Sequence, residues 1–174
     1  MKSVTIFFLL GALVTNSALA ERADRDKPVH LESDRATVEN TARSNNKERT
    51  SVFTGNVVLT QGTLIIRSDK MVVKENEDGF QHAIAYGNLA SFRQKRDGMN
   101  EYIEGWGERM EYDSKADKVE LFKQARLRRG ADEVHGEYIS YEATTEFFQV
   151  NNGSKTNSES RVRAVIQPKK KKQN

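Results

Sequence analysis

The chain has 174 residues, with 28 Lys+Arg against 25 Asp+Glu for a formal charge of +3, 36% hydrophobic residues and no cysteine. This length holds one domain or two small ones, and the missing cysteine excludes a disulfide scaffold, a thiolate metal site and a cysteine nucleophile. Aromatic residues at 8% supply enough bulk for a packed core and argue against a chain disordered throughout.

The first segment in chain order reads as a leader. Lys2 gives a short positive region, Val4 to Val14 is apolar, and Ala18-Leu19-Ala20 forms an A-x-A cleavage box before Glu21 and Arg22. That is the secretory signal pattern, and the apolar run falls short of the about 20 residues that a permanent span needs. Residues 1–20 are expected to be cleaved, 21–167 to form the folded domain and 168–174 to be a disordered basic tail. Lys169, Lys170, Lys171 and Lys172 together exceed the net charge of the whole chain. The body without leader and tail is therefore net acidic, and nucleic acid, which wants a basic face on the folded body, is not expected as a partner. The tail itself is a solvated end or a contact for anionic lipid heads.

After the leader, Asp24 to Ser44 is polar and lacks an apolar stripe at helical spacing, although a short helix fits the mature N-terminus. Thr41 to Thr50 reads as a solvated loop. From Pro28 to about Val165 the apolar residues alternate. Val29 and Leu31 share one face of a first strand, opposite His30 and Glu32. Phe53, Val57 and Leu59 share another, then Leu64 and Ile66 after the Gln61-Gly62 turn, then Met71 and Val73. Ile84, Tyr86 and Phe92 have one parity, as do Tyr102, Trp106, Met110 and Tyr112. Val119, Leu121, Ala125 and Leu127 follow, then Phe148 and Val150, with Val162 and Val165 last. Period two marks half-buried strands, and turn signals such as Glu77-Asp78-Gly79, Arg96-Asp97-Gly98 and Asn151-Asn152-Gly153 separate them by roughly 10–18 residues. The pattern predicts an all-β antiparallel domain.

A weak internal repeat runs through these strands. Glu32-Ser33-Asp34-Arg35-Ala36 matches Arg67-Ser68-Asp69-Lys70-Met71. Phe53-Thr54-Gly55-Asn56-Val57 matches Ala85-Tyr86-Gly87-Asn88-Leu89, and Gly107-Glu108-Arg109-Met110 matches Gly136-Glu137-Tyr138-Ile139. Self-similarity of this kind points to strand units stacked on one continuous core, with unpaired edges at the ends.

Catalytic signatures are missing: there is no nucleophile elbow, no HExxH and no glycine-rich phosphate loop. Glu101 with Glu104 and Asp113 with Asp117 are the only carboxylate pairs to consider, and both fall in turn-like stretches. His30, His82 and His135 are too far apart in sequence to suggest a metal site. No enzyme activity, metal or cofactor is expected. Trp106, between Gly105 and Gly107, is the candidate platform for a sugar, but its parity with Met110 and Tyr112 puts it on the apolar face.

Four motifs carry a resemblance to a known family: 28–34 (Pro-Val-His-Leu-Glu-Ser-Asp), Phe53 to Thr63, Ile66 to Val73, and Met110-Glu111-Tyr112 with Val134 to Tyr141. They resemble the OstA-like β-jellyroll family of periplasmic lipopolysaccharide (LPS) transport proteins, over nearly all of the mature chain, Lys27 to Lys172. Phe53 to Thr63 is the most specific of the four. The long loop at Thr41 to Thr50 and Leu89 in place of a common proline depart from the family pattern.

The resemblance implies an elongated, V-shaped, partly open antiparallel jellyroll of roughly sixteen strands. It implies an LPS-binding protein of the periplasm that holds lipid A acyl chains in an apolar groove. It also implies head-to-tail assembly with copies of itself, with LptC at the inner membrane and with LptD at the outer membrane. The groove positions it carries over are Val29, Leu31, Phe92 and Tyr112. Phe53, Trp106 and Met110 join them from the apolar faces. The assembly edges are Val29, His30, Leu31 and Glu32 at one end and Val162 and Val165 at the other. The rival expectation is an envelope jellyroll that binds polysaccharide or acts as a strand-edge adaptor, without lipid transport.

Overall fold

In a computed structural model, which describes residues 24, 26–41, 48–152 and 161–168, the alternating segments form strands. The leader at 1–20, the centre of the Thr41 to Thr50 loop and the lysine tail lie outside the described residues.

Ten strands follow in chain order: β1 Val29–Glu32, β2 Arg35–Thr41, β3 Glu48–Gln61, β4 Leu64–Asn76, β5 Gly79–Lys95, β6 Tyr102–Asp113, β7 Lys118–Arg129, β8 Asp132–Glu142, β9 Phe147–Asn151 and β10 Arg163–Val165. Every pairing is antiparallel, in the order β1-β3-β4-β5-β6-β7-β8-β10, with β2 added to β3 and β9 to β8. Within segments the expected alternation holds. Val57 and Leu59, Leu64 and Ile66, Met71 and Val73, and Val119 and Leu121 are all but inaccessible. Each such side chain contributes about 1.5–3 kcal/mol by leaving water.

The long strands are broken in the middle. Register shifts fall between Thr54 and Val57, Arg67 and Lys70, Tyr86 and Ala90, Trp106 and Arg109, and Phe122 and Ala125. A bulge inserts unpaired residues and bends the strand; in β4, β5 and β6 it also reverses the parity that faces inward, while in β3 and β7 Phe53 with Val57 and Leu121 with Ala125 keep theirs. The bulges line up across the sheet and divide it in two. On one side, β2, 48–54, 70–76, 79–86, 109–113, 118–122, 138–142 and β9 form a first layer. On the other, β1, 57–61, 64–68, 90–95, 102–107, 125–129, 132–136 and β10 form a second. Two layers of eight segments correspond to the roughly sixteen strands expected.

The layers face each other across one hydrophobic cluster. Phe92 of the second layer stacks on Tyr141 of the first at 6.3 Å. Leu121 of the first layer comes so close to Gly105 of the second that a Cβ there would lie 2.8 Å from its Cδ1. The end strands do not pair with each other, so the sheet stays open, as a partly open jellyroll requires.

The sequence repeat marks the corners. Asp34 accepts a hydrogen bond from Asn56 Nδ2 at 3.1 Å and presses against Gly55, where a Cβ would sit 2.2 Å from Asp34 Oδ2. Gly55 has φ +79°, a conformation glycine tolerates best. One repeat later, Asp69 accepts from the backbone N–H of Asn88 at 3.2 Å. Two strands on, Glu108 accepts from Gln124 at 2.9 Å. A carboxylate at one corner thus pins the bulge of the next strand.

Three expectations are corrected. Arg35–Thr41 is strand β2, paired with β3 from Arg35↔Thr54 to Thr41↔Glu48; it is neither helix nor loop, and so the loop is shorter than predicted. As an edge strand it leaves Val38 55% exposed, which removes the alternating signal. Ile84 and Tyr86 do not share a face with Phe92: Ala83 and Ala85 point inward before the bulge, and Ala90 and Phe92 after it. Likewise Tyr102 and Trp106 do not share a face with Met110 and Tyr112. Ile103 and Gly105 take the inward positions on that side of the β6 bulge.

Candidate functional site

The space between the layers is the molecule's apolar interior, and most of the proposed groove residues lie on it. Phe92, Met110 and Tyr112 are 1–2% exposed and sit at its centre. Tyr112 stacks with Phe80 at 6.0 Å, and its hydroxyl reaches Asp117 Oδ1 at 3.4 Å. Val29, Leu31 and Phe53 are half-buried and pack against the same cluster from the β1 and β3 side. Leu31 pairs with Leu59, and Val29 with Gln61. Trp106 does not join them. It lies on the outer face of the second layer, with the Arg126 guanidinium 3.9 Å above its ring and that of Arg128 at 5.3 Å.

The interior is closed tightly enough that a long apolar ligand needs the layers to part. The ends are looser. At the β8–β10 end a recess runs in between the layers, lined by Ile103, Leu127 and Val134 of the second and Tyr141 and Phe148 of the first. Periodicity places Leu127 and Phe148 on inward faces, but the parity of Tyr102 and Trp106 puts Ile103 outward and no motif singles out the group, so sequence reasoning missed this mouth. At the other end a more polar recess is lined by Val29, Phe80, Lys27, Gln61, Glu75 and Ser114.

An ion pair joins the layers beside the apolar mouth. Arg96, on the turn after β5, donates to Glu146, on the turn after β8, through Nε at 2.9 Å and Nη2 at 2.6 Å. Its Nη1 also donates to Glu101 at 2.7 Å. The hydrogen bond from Arg96 holds the Glu146 carboxyl below the usual carboxylate range, against the opposing effect of burial. The same bond lifts Arg96 above its ordinary value. Burial pushes the nearby Tyr141 hydroxyl up to about 12.

The carboxylate pairs considered for acid–base work are otherwise engaged. Glu101 pairs with Arg96, Glu104 with Arg128 and Arg93, and Asp113 caps the Ala116 N–H at 2.8 Å. The histidines lie on different strands: His30 on β1, His82 facing Glu111 at 3.8 Å, and His135 facing Glu133 at 2.6 Å. Among the described residues no three metal-ligating side chains come together.

The edges carry the remaining candidates. His30 and Glu32 point outward from β1, and all four β1 residues pair with β3 on one side only. Val165 lies on β10, which is short and pairs with β8 alone, and Val162 immediately precedes it. Val162, Val165 and neighbouring Ile166 are 47%, 52% and 80% exposed. Apolar side chains beside an open backbone edge are what an incoming strand needs.

Comparison with known proteins places these features in a family. The family model described as LptA/(LptD N-terminal domain) LPS transport protein matches residues 30–147. The lipopolysaccharide export system protein LptH of Pseudomonas aeruginosa is 29% identical, over 97% of this chain and 95% of that one. The lipopolysaccharide export system protein LptA of Escherichia coli K12 is 34% identical, over 71% of this chain and 64% of that one. The crystal structure of LptH, described as the LptA-homologous periplasmic component of the lipopolysaccharide transport device of P. aeruginosa, superposes with a TM-score of 0.71. It covers 84% of this chain and 99% of that one at 24% identity. At that identity the likeness shows a shared fold.

Proposed function

The chain belongs to the LptA/(LptD N-terminal domain) family of LPS transport proteins, and from that membership we propose that it carries LPS across the periplasm with the lipid A acyl chains held between its two layers. The observation that carries this reading is the single apolar cluster shared by both layers of a sheet that does not close. An acyl chain of roughly ten CH₂ groups costs about 8 kcal/mol to expose to water, so a lipid with several chains crosses water only under cover. The interior supplies that cover, and the β8–β10 mouth and the half-buried Val29, Leu31 and Phe53 are where the layers can begin to part.

Transport along a line of such molecules needs continuity. β10, with Val162, Val165 and Ile166 exposed, receives the β1 edge of the next unit by strand addition. Such a contact does not close on itself, so it builds a row of copies capped by LptC at the inner membrane and LptD at the outer membrane. The protein acts as a passive conduit. Mass spectrometry of lipid extracted from the purified mature protein, beside a boiled control, tests the substrate. Lipid A species are expected. Their absence, repeated after incubation with excess LPS, reduces the interior to an ordinary core.

A further inference from the structure

At the β8–β10 mouth a hairpin turn of one layer meets a hairpin turn of the other. Arg96 sits on the turn between β5 and β6, at the rim of the second layer, and Glu146 on the turn between β8 and β9, at the rim of the first. Each turn is fixed from within. In one, the Arg96 N–H donates to the Glu101 carbonyl at 2.9 Å and the Met99 N–H to the Arg96 carbonyl at 3.2 Å. In the other, Thr145 Oγ1 donates to Glu142 at 2.8 Å and accepts from the Phe147 N–H at 3.3 Å. The fork from Arg96 Nε and Nη2 to the two Glu146 oxygens crosses from layer to layer.

Two features set this pair apart from ordinary surface ion pairs. The Arg96 side chain is 10% exposed, whereas those of Arg93, Arg109 and Arg128 in their own ion pairs are 38–48% exposed. A two-pronged bond from a mostly buried guanidinium is strong and directional. Glu146 also holds φ at +54°, a conformation that side chains other than glycine's adopt at a cost. The strained position carries the carboxylate that reaches across, and strain of this kind collects at working parts of a fold. Glu146 lines the mouth together with Tyr141 and Phe148 of its own layer and Ile103, Leu127 and Val134 of the other.

The pair is also built to open. Parting the layers at Phe92 and Tyr141 would expose a stacked aromatic pair of the core. Parting them at the rim strands no buried charge. Glu146 is 31% exposed and can be taken up by water. Arg96 keeps Glu101 on its own turn, bonded through Nη1 at 2.7 Å, so its guanidinium stays paired. We propose that Arg96 and Glu146 form a latch that holds the two layers together at the β8–β10 mouth and sets the rate at which an acyl chain enters or leaves there. The proposal rests on the reading that acyl chains lie between the layers. It goes beyond that reading in naming where the layers part and which residues control the parting.

The test compares mature wild-type protein with Arg96→Gln, Glu146→Gln and the double variant. Spin labels at Gln149 and Ala164 report the width of the mouth without ligand, and labelled LPS reports the rate of capture. Each single variant should widen the ligand-free distance and speed capture at least about fivefold. The double variant should do no more than either single one, because the two residues act as a unit. A covalent lock supplies the converse. The chain has no cysteine, so Arg96→Cys with Glu146→Cys can be bridged by a cleavable two-headed thiol reagent. Bridging should slow capture at least about tenfold, and cleavage should restore it. Unchanged distances in the single variants, effects that add in the double variant, or a bridged protein that captures LPS at the unbridged rate would each overturn the proposal. If the wild type captures no LPS at all, the interior reading fails, and the ligand-free distances still decide whether this pair holds the layers.

Discussion

Phe92 and Leu31 show how burial decides what a substitution can test. Phe92 lies in the closed interior at 1% exposure, stacked on Tyr141. Phe92→Ala should cost about 3–5 kcal/mol, read as a lower urea midpoint at unchanged slope. An aspartate there buries an unpaired charge and unfolds the chain, so its loss of binding would carry no information about lipid. Leu31 is half-buried on β1. Leu31→Asp should cost only about 1–2 kcal/mol and leave the fold intact. It should also cut LPS capture at least fivefold in a pull-down; unchanged capture removes β1 from the lipid's path.

The elements explain both what could be read from the sequence and what could not. Within a segment, alternation is enough: Val119-x-Leu121 and Leu64-x-Ile66 give the right face because each stays in one layer. Across the β5 and β6 bulges the same rule fails, since the extra residues there reverse parity, whereas it survives in β3 and β7, where Phe53 and Val57, and Leu121 and Ala125, keep one parity. Parity alone therefore groups Phe92 with Ile84 and turns Trp106 inward, whereas Trp106 lies outside under two arginines. The Gly-Asn, Ser-Asp and Gly-Glu repeats were the corner signal, legible as repetition but not as a change of layer until the pairing is known. The Arg96–Glu146 pair had no sequence signal, because its partners lie fifty residues apart on two turns. It bridges the two layers beside the β8–β10 mouth; if the layers part there, Glu146→Gln should cost about 1–2 kcal/mol near neutral pH while speeding lipid uptake. The pH dependence has a fixed sign. Because the folded-state value of Glu146 is lowered, its contribution is present above its unfolded value of about 4.3 and is lost as pH falls through the folded one. Thermal midpoints of wild type and Glu146→Gln should therefore begin to converge as pH falls below the unfolded value and meet once it has passed through the lowered folded one. A gap that persists there means the latch is not the source of the difference.

For the whole molecule, the proposed transport requires two layers that part and ends that join. Deleting Arg161 to Asn174 removes β10, whose described residues are all exposed, so the monomer should stay folded while light scattering shows shorter oligomers. Unchanged oligomers would move the joint elsewhere. The central claim, that acyl chains enter between the layers, is tested most directly by distances across them. The chain has no cysteine, so spin labels can be placed in pairs at Gln149 and Ala164 across the β8–β10 mouth and at His30 and Thr37 across the opposite edge. Bound LPS should lengthen the Gln149–Ala164 distance, and lipid A stripped of its acyl chains should not. Saturating LPS with both distances unchanged would contradict the account, because a closed interior has no room for the chains.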